Sequence, residues 1–156
     1  TVRHLTLSQA HQLLIAAIGK HERDNQDPVV AKASALVAEV VPDWGTVIKT
    51  RSDDNKLLIQ RDGADGRISD GAISDGGRAL LYLAIRLAFA EQYAHEKQSA
   101  LPIICDDPLI HFDGERREAG VRLLKRISEQ HQVVLFTCQP ETRDFAVSLG
   151  ANVIEM

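Results

Sequence analysis

Apolar residues near the start of the chain recur at alternating spacings of three and four: Leu7, Ala10, Leu14 and Ala17. Polar residues surround them, among them His11, Gln12, Lys20, His21, Glu22 and Arg23. That pattern predicts a helix over 1–26, and the stripe has the a/d spacing of a short heptad seam. An ordinary surface helix and the end of a coiled-coil arm both fit it. Asp27-Pro28 then restarts a helix, with Asp as N-cap and Pro in the first turn. Val29, Val30, Ala33, Leu36, Val37, Val40 and Val41 give it one apolar face, and Pro42 ends it.

Two β-rich runs follow, 45–50 and 56–60, on either side of a polar stretch, which is a hairpin signal. Residues 62–77 are glycine-rich and predict a loop. Inside it Ile68-Ser69-Asp70-Gly71 is echoed by Ile73-Ser74-Asp75-Gly76. From Arg78 to about His95 the pattern is apolar nearly all round, which predicts a central, buried helix. Leu101–Cys105 predicts a buried strand and Glu115–Gln130 a helix; Val133–Cys138 predicts a second buried strand and Glu141–Leu149 a short helix. Asn152–Met156 predicts a last strand. Strands alternating with helices imply right-handed crossovers and a parallel sheet.

The 156 residues suit one domain with a sizeable core. At 44% apolar and 26% charged, the composition is that of an ordinary globular chain. No apolar run approaches the ~18–20 residues of a membrane span, and no signal peptide is recognisable. The cytoplasm is therefore the expected compartment. With 18 Lys+Arg against 22 Asp+Glu the net charge is −4, which excludes a free-standing polycation for nucleic acid but not a local basic patch. Cys105 and Cys138 make no disulfide framework or zinc spacing, and both are expected to be small buried thiols. The six histidines share no ligand-like spacing. The chain opens on Thr1 and its sole Met is Met156, so a processed chain or a piece of a longer one is expected.

Three places carry candidate chemistry. Asp106 and Asp107 stand where a predicted parallel strand stops, the end at which open α/β sheets bind ligands. Adjacent carboxylates there can hold Mg²⁺ and leave a second acid to handle water; a turn capped by its own Asp residues also fits. Ser74-Asp75-Gly76-Gly77 precedes a helix, where free amides and the dipole suit an anion; a simple helix cap also fits. Phe136-Thr137-Cys138-Gln139-Pro140 puts polar groups at the end of the next strand, bringing Gln139 near Asp107 if the strands are neighbours.

In order and spacing, these segments resemble the C-terminal head lobe of SMC-like ABC-class ATPases, coiled-coil machines of DNA repair and chromosome maintenance, and look most like the YhaN-type branch. The resemblance covers roughly 56–145. It is carried by Ile73–Arg78, 81–88, Leu101–Pro108, Phe112–Arg116 and Val134–Pro140.

The resemblance implies an α/β fold: the C-terminal lobe of a P-loop ABC ATPase head, a mostly parallel sheet with flanking helices and a small hairpin. It implies that 1–26 is the end of a coiled-coil arm and that 27–156 is the lobe. Ile73–Gly77 would be the signature loop, with Ser74, Gly76 and Gly77 at the positions that contact ATP held by a second head. Asp106 would bind Mg²⁺, and Asp107 would orient the attacking water. Asp113 would lie on the loop crossing the dimer interface, and Gln139 would occupy the switch position. The implied partners are an N-terminal half of the same head, a second head in an ATP-sandwiched dimer, DNA and a nuclease subunit, with no membrane.

Several residues depart from that pattern. Asp107 is one methylene shorter than the usual Glu, and Gln139 replaces the usual His and cannot gain a proton. Asp75 adds a negative charge near a phosphate position. No Gly-x-x-x-x-Gly-Lys-[Ser/Thr] is present, so the phosphate cradle must come from elsewhere. ATP hydrolysis is therefore expected only with a Walker A-bearing N-terminal half. A catalytically weak or inactive lobe, acting as a dimerisation or DNA-docking module, is the alternative. A self-sufficient Mg²⁺-dependent phosphohydrolase is a third reading, and it leaves the Ser74–Gly77 loop unexplained. Arg116, Arg117, Arg122, Lys125 and Arg126 offer a basic side to DNA or, equally, form a solvated face balanced by Glu115, Glu118 and Glu129.

Overall fold

Asp27 opens the first helix as predicted: its side chain accepts a 2.9 Å hydrogen bond from the Val29 amide. The computed structural model describes residues 27–49, 57–60, 67–69 and 73–155. The expected arm over 1–26 lies outside the described residues. The helices are α1 (Pro28–Val40), α2 (Asp75–Lys97), α3 (Gly114–Ile127) and α4 (Pro140–Ser148). The strands are β1 (Thr46–Lys49), β2 (Leu57–Gln60), β3 (Arg67–Ser69), β4 (Ile103–Asp106) and β5 (Val133–Phe136).

The predicted hairpin is real and gains a third strand. β1 pairs β2 and β2 pairs β3, both antiparallel, with Ile59 opposite Val47 on one side and Ile68 on the other. Arg67–Ser69 falls inside the expected loop. Glycines on both sides hid a run of three residues, too short for a periodic signal. This separates the two echoed segments: Ile68-Ser69 belongs to a strand, whereas Ser74 caps a helix.

The core lies between helices. Val30, Ala33, Leu36, Val37 and Val40 of α1 are buried with Leu80, Leu81, Ala84, Leu87 and Ala88 of α2 and Val121, Leu123, Leu124 and Ile127 of α3. Burying each such large aliphatic side chain contributes about 1.5–3 kcal/mol. At the rim, Arg126 of α3 donates to both carboxylate oxygens of Glu39 of α1, at 2.9 and 3.1 Å, and reaches Glu91 of α2 at 3.7 Å. Lys32 holds the same Glu91 at 3.5 Å. One ion cluster thus ties three helices together.

α2 is not buried all round. Tyr82 and Phe89 are 47% and 61% exposed. The expected strand at Asn152–Met156 is absent among the described residues 151–155, where Ile154 is 86% exposed. A parallel strand needs a neighbour to satisfy its backbone, and no described strand pairs there.

β4 and β5 are parallel neighbours, as the alternation of strands and helices implied, with Cys105 opposite Leu135 and Asp106 opposite Phe136. The ring of His131, buried before β5, places Nδ1 2.9 Å from the Leu101 carbonyl before β4. This contact fixes the entry of both strands, and their register brings both carboxyl ends to the same level. One face of this sheet is bare: Ile104 is 70% exposed and Phe136 is exposed beside it.

Candidate functional site

Register decides what meets at the strand ends. Because Asp106 is paired with Phe136, the next residue on each strand, Asp107 and Thr137, leaves the sheet side by side. The Asp107 amide still donates to the Phe136 carbonyl at 2.9 Å. Asp107 then takes a left-handed backbone, φ 41°, which Asp tolerates better than most residues. The chain turns there through Pro108–His111, and the carboxylate faces the end of β5.

The Thr137 hydroxyl donates to Asp107 Oδ1 at 2.7 Å. The Cys138 thiol donates to Oδ2 at 3.0 Å, and the Cys138 amide lies 3.3 and 3.4 Å from the two oxygens. The Cys138 and Thr137 side chains hold the Asp107 carboxyl below the usual carboxylate range, because each stabilises the charged form. The same carboxylate pushes the Cys138 thiol up, by accepting its hydrogen bond and by its charge. Cys138 is exposed, which corrects the expectation of a buried thiol: β5 ends at Phe136, so Cys138 lies past the sheet. Cys105 is buried as expected, and burial pushes its thiol up.

Gln139 does come close to Asp107, through Thr137. Its amide N–H donates to Thr137 Oγ1 at 3.1 Å. Its side-chain oxygen accepts from the Thr142 hydroxyl at 3.0 Å, and its Nε2 faces the Ile110 carbonyl at 3.5 Å. Gln139 therefore touches the loop that leaves Asp107. Asp106 is exposed, and its carboxylate has no hydrogen-bond partner among the described residues.

The same loop also meets the start of α2. A Cβ on Gly76 would lie 2.6 Å from the His111 carbonyl oxygen, closer than any side chain tolerates. Gly77 is buried, and a Cβ there would strike Ile73 and the Trp44 ring at 2.3–2.6 Å. Glycine is thus required at both positions by close packing. Ser74 caps α2, its hydroxyl accepting from the Gly77 amide at 3.3 Å. The Asp75 and Gly76 amides belong to the first turn, whose N–H groups the helix ladder leaves open. Arg78 pairs with Asp75 at 3.2 Å and offsets the charge that residue brings.

Asp113 is the N-cap of α3, accepting from the Arg116 amide at 3.0 Å, and is exposed. The basic side of α3 is largely spoken for. Arg116 pairs with Asp113, Arg117 with the Phe112 carbonyl, Arg122 with Glu118 and Arg126 with Glu39. Arg122 also stacks over Phe145, 4.8 Å from the ring centre.

The site is an open surface rather than a pocket. A groove of about 450 Å³ lies between α3 and α4, lined by Arg117, Glu118, Val121, Glu141, Asp144 and Phe145, and none of the site residues borders it. Among the described residues no group of three or more His, Cys, Asp or Glu could hold a metal alone. Mg²⁺ bound here would take one carboxylate from this chain and the rest of its shell from water and phosphate oxygens, its usual habit. The free, exposed carboxylate of Asp106 fits that role.

Sequence reasoning named the polar segment 136–140 but not Thr137 and Cys138 as partners of Asp107, and it passed over the His111 carbonyl and Trp44. The register of β4 and β5 was the only signal that could have found the first two.

No family model matches the chain. The chain is 32% identical over 102 residues to the protein YhaN of Bacillus subtilis (strain 168), covering 65% of this chain but 10% of that one, so it spans about a tenth of that relative. An SMC ATPase structure from work on ATP-driven dimerisation and DNA-stimulated activation superposes with a TM-score of 0.60 at 20% identity, covering 76% of this chain and 72% of that one. A Pyrococcus furiosus Smc head with an extended coiled coil, bound to the C-terminal domain of ScpA, gives 0.58 at 18% identity, covering 92% and 37%. The chain has the fold of the C-terminal region of an SMC-type ATPase head. Among the described residues no helix is long and apolar enough to cross a membrane.

Proposed function

We propose that this chain is the C-terminal half of an SMC-like ATPase head, completing an ATP-hydrolysing site together with a Walker A-bearing N-terminal half. The observation that carries the reading is a convergence. One loop, Asp107–Asp113, touches both the Ser74–Gly77 helix start, through His111 and Gly76, and the end of β5, through Asp107, Thr137 and Gln139. Three segments far apart in sequence thus form one polar rim at the carboxyl edge of a parallel sheet.

In this reading Asp106 holds Mg²⁺, which when bound neutralises charge on the transferred phosphate. Asp107 accepts a proton of the attacking water through its remaining acceptor position and orients its oxygen. Gln139 donates an amide N–H to phosphate without carrying charge. Ser74, Gly76 and Gly77 present the start of α2 to ATP held by a second head, and Asp113 stands at that interface. The bare apolar surfaces at Ile104 and Phe136 and at Tyr82 and Phe89 support the presence of covering elements. The setting is DNA maintenance or repair.

A second reading has its own support. Gln139 and Asp107 are both tied to neighbours, and the α3 arginines are paired within the chain. A head of low turnover that dimerises on ATP would look like this. The experiment is calorimetry and hydrolysis with ATP and Mg²⁺, on the chain alone and assembled with a Walker A half. The proposal expects weak or no binding alone and turnover in the assembly. Tight binding by the isolated chain contradicts it; binding and dimerisation without turnover favour the second reading.

A further inference from the structure

Asp107 is short, with two side-chain torsions, and it sits on a left-handed backbone at the edge of an open surface. Left to itself such a carboxylate would sample several rotamers. Here three donors reach it, and all come from one dipeptide at the end of β5: the Thr137 hydroxyl, the Cys138 amide and the Cys138 thiol. A carboxylate offers about four acceptor positions. The amide is shared between both oxygens, at 3.3 and 3.4 Å, so the three donors leave capacity for about one more.

Thr137 cannot turn its proton elsewhere without loss. Its oxygen already accepts the Gln139 amide N–H at 3.1 Å, so its own O–H is the donor to Asp107, whose ionised carboxylate can only accept. The hydroxyl thus links the backbone at the switch position to the acid on the neighbouring strand.

We propose that Thr137 and Cys138 are positioning residues that lock Asp107 in one rotamer and aim its free acceptor position at the substrate water. The proposal rests on the reading of Asp107 as the water-orienting acid. Neither residue touches the reacting atoms. Both act through Asp107, and the fixed aim compensates for its short reach. A valine at 137 keeps the shape but removes the donor and leaves the Gln139 amide unpartnered. A serine at 137 keeps both bonds.

Two measurements test it. In the labelled 156-residue chain, three-bond couplings across Cα–Cβ of Asp107 report its rotamer. One rotamer is expected in the wild type and in Thr137→Ser, and averaged couplings in Thr137→Val with Cys138→Ala. A single rotamer in the double variant overturns the clamp. In the assembled head, Thr137→Val should lower kcat on the order of ten- to a hundredfold, the usual cost of a misaimed group, with KM for ATP nearly unchanged. Thr137→Ser should restore it. Averaged couplings with an unchanged kcat, or a loss shared equally by Val and Ser, overturn the positioning role. An assembled wild type that hydrolyses no ATP counts against the ATPase reading, and the rotamer measurement still decides the clamp.

Discussion

The hydroxyl of Thr137 donates a 2.7 Å hydrogen bond to Oδ1 of Asp107, from the residue after β5 to the residue after β4. The two side chains are 30 positions apart in the chain. Only the parallel register, with Asp106 opposite Phe136, brings them together. The bond is short, and its acceptor is charged, which makes it one of the stronger contacts a side chain can form. It joins the acid of the proposed site to the segment that holds Gln139.

The contact between Gly76 and the His111 carbonyl gives a stability prediction with an internal control. Gly76→Ala places a methyl 2.6 Å from a backbone oxygen, so the loop or the helix start must move. The expected loss is about 1–3 kcal/mol, the usual cost of overpacking, reduced by alanine's better helix propensity. Gly114→Ala meets nothing within 4 Å, and a stabilisation of about 0.4–1 kcal/mol is expected there. Urea unfolding of the two variants checks both signs. Equal effects would mean that the Gly76 contact carries no strain.

The two cysteines should react differently. Cys138 is exposed and Cys105 buried, so iodoacetamide is expected to label Cys138 first. The Cys138 thiol is raised by Asp107, so its thiolate forms only above the ordinary cysteine range. Removing the charge with Asp107→Asn lowers that value, and the labelling rate at pH 8 should rise. Mass spectrometry of the labelled peptides decides. A rate that falls in Asp107→Asn would show that the carboxylate does not hold the thiol proton.

Arg126→Ala should loosen the three-helix rim. Glu39 loses a two-point partner and Glu91 keeps Lys32 alone. Arg126 and Glu39 are each about two-fifths exposed, so solvent screening limits their share, and the expected loss is about 0.5–1.5 kcal/mol. The midpoint of urea unfolding should drop, with the slope unchanged. An unchanged midpoint would mean that the cluster is ornamental.

How much of this was legible beforehand varied with the range of the interaction. Among the described residues the helices were legible because their signals are local, as at the Asp27-Pro28 start and the apolar face from Val30 to Val40, although α2 begins at Asp75 rather than at the expected Arg78. The strand end at Asp106 was legible for the same reason. Arg67–Ser69 was not, because three residues among glycines carry no period. Asn152–Met156 has the composition of a strand but finds no pairing edge among the described residues, and composition cannot supply one. The exposure of Cys138 was misread because a buried strand was expected to run to 138, whereas β5 ends at Phe136 and its own residues are half-buried or exposed. The partners of Asp107, and the fit of Gly76 against His111, depend on register and chain crossing, which no local pattern encodes.

The central claim is that Asp106 stands at the metal of a composite ATP site. Its most direct test is the rate of Mg²⁺-dependent ATP hydrolysis by the lobe assembled with a Walker A-bearing half, in wild type and Asp106→Ala. Because Asp106 is exposed and lacks a side-chain hydrogen bond among the described residues, the substitution should leave folding intact. The account predicts hydrolysis by the wild-type assembly and its loss, on the order of a hundredfold or more, in Asp106→Ala. Turnover that is unchanged by Asp106→Ala would contradict it.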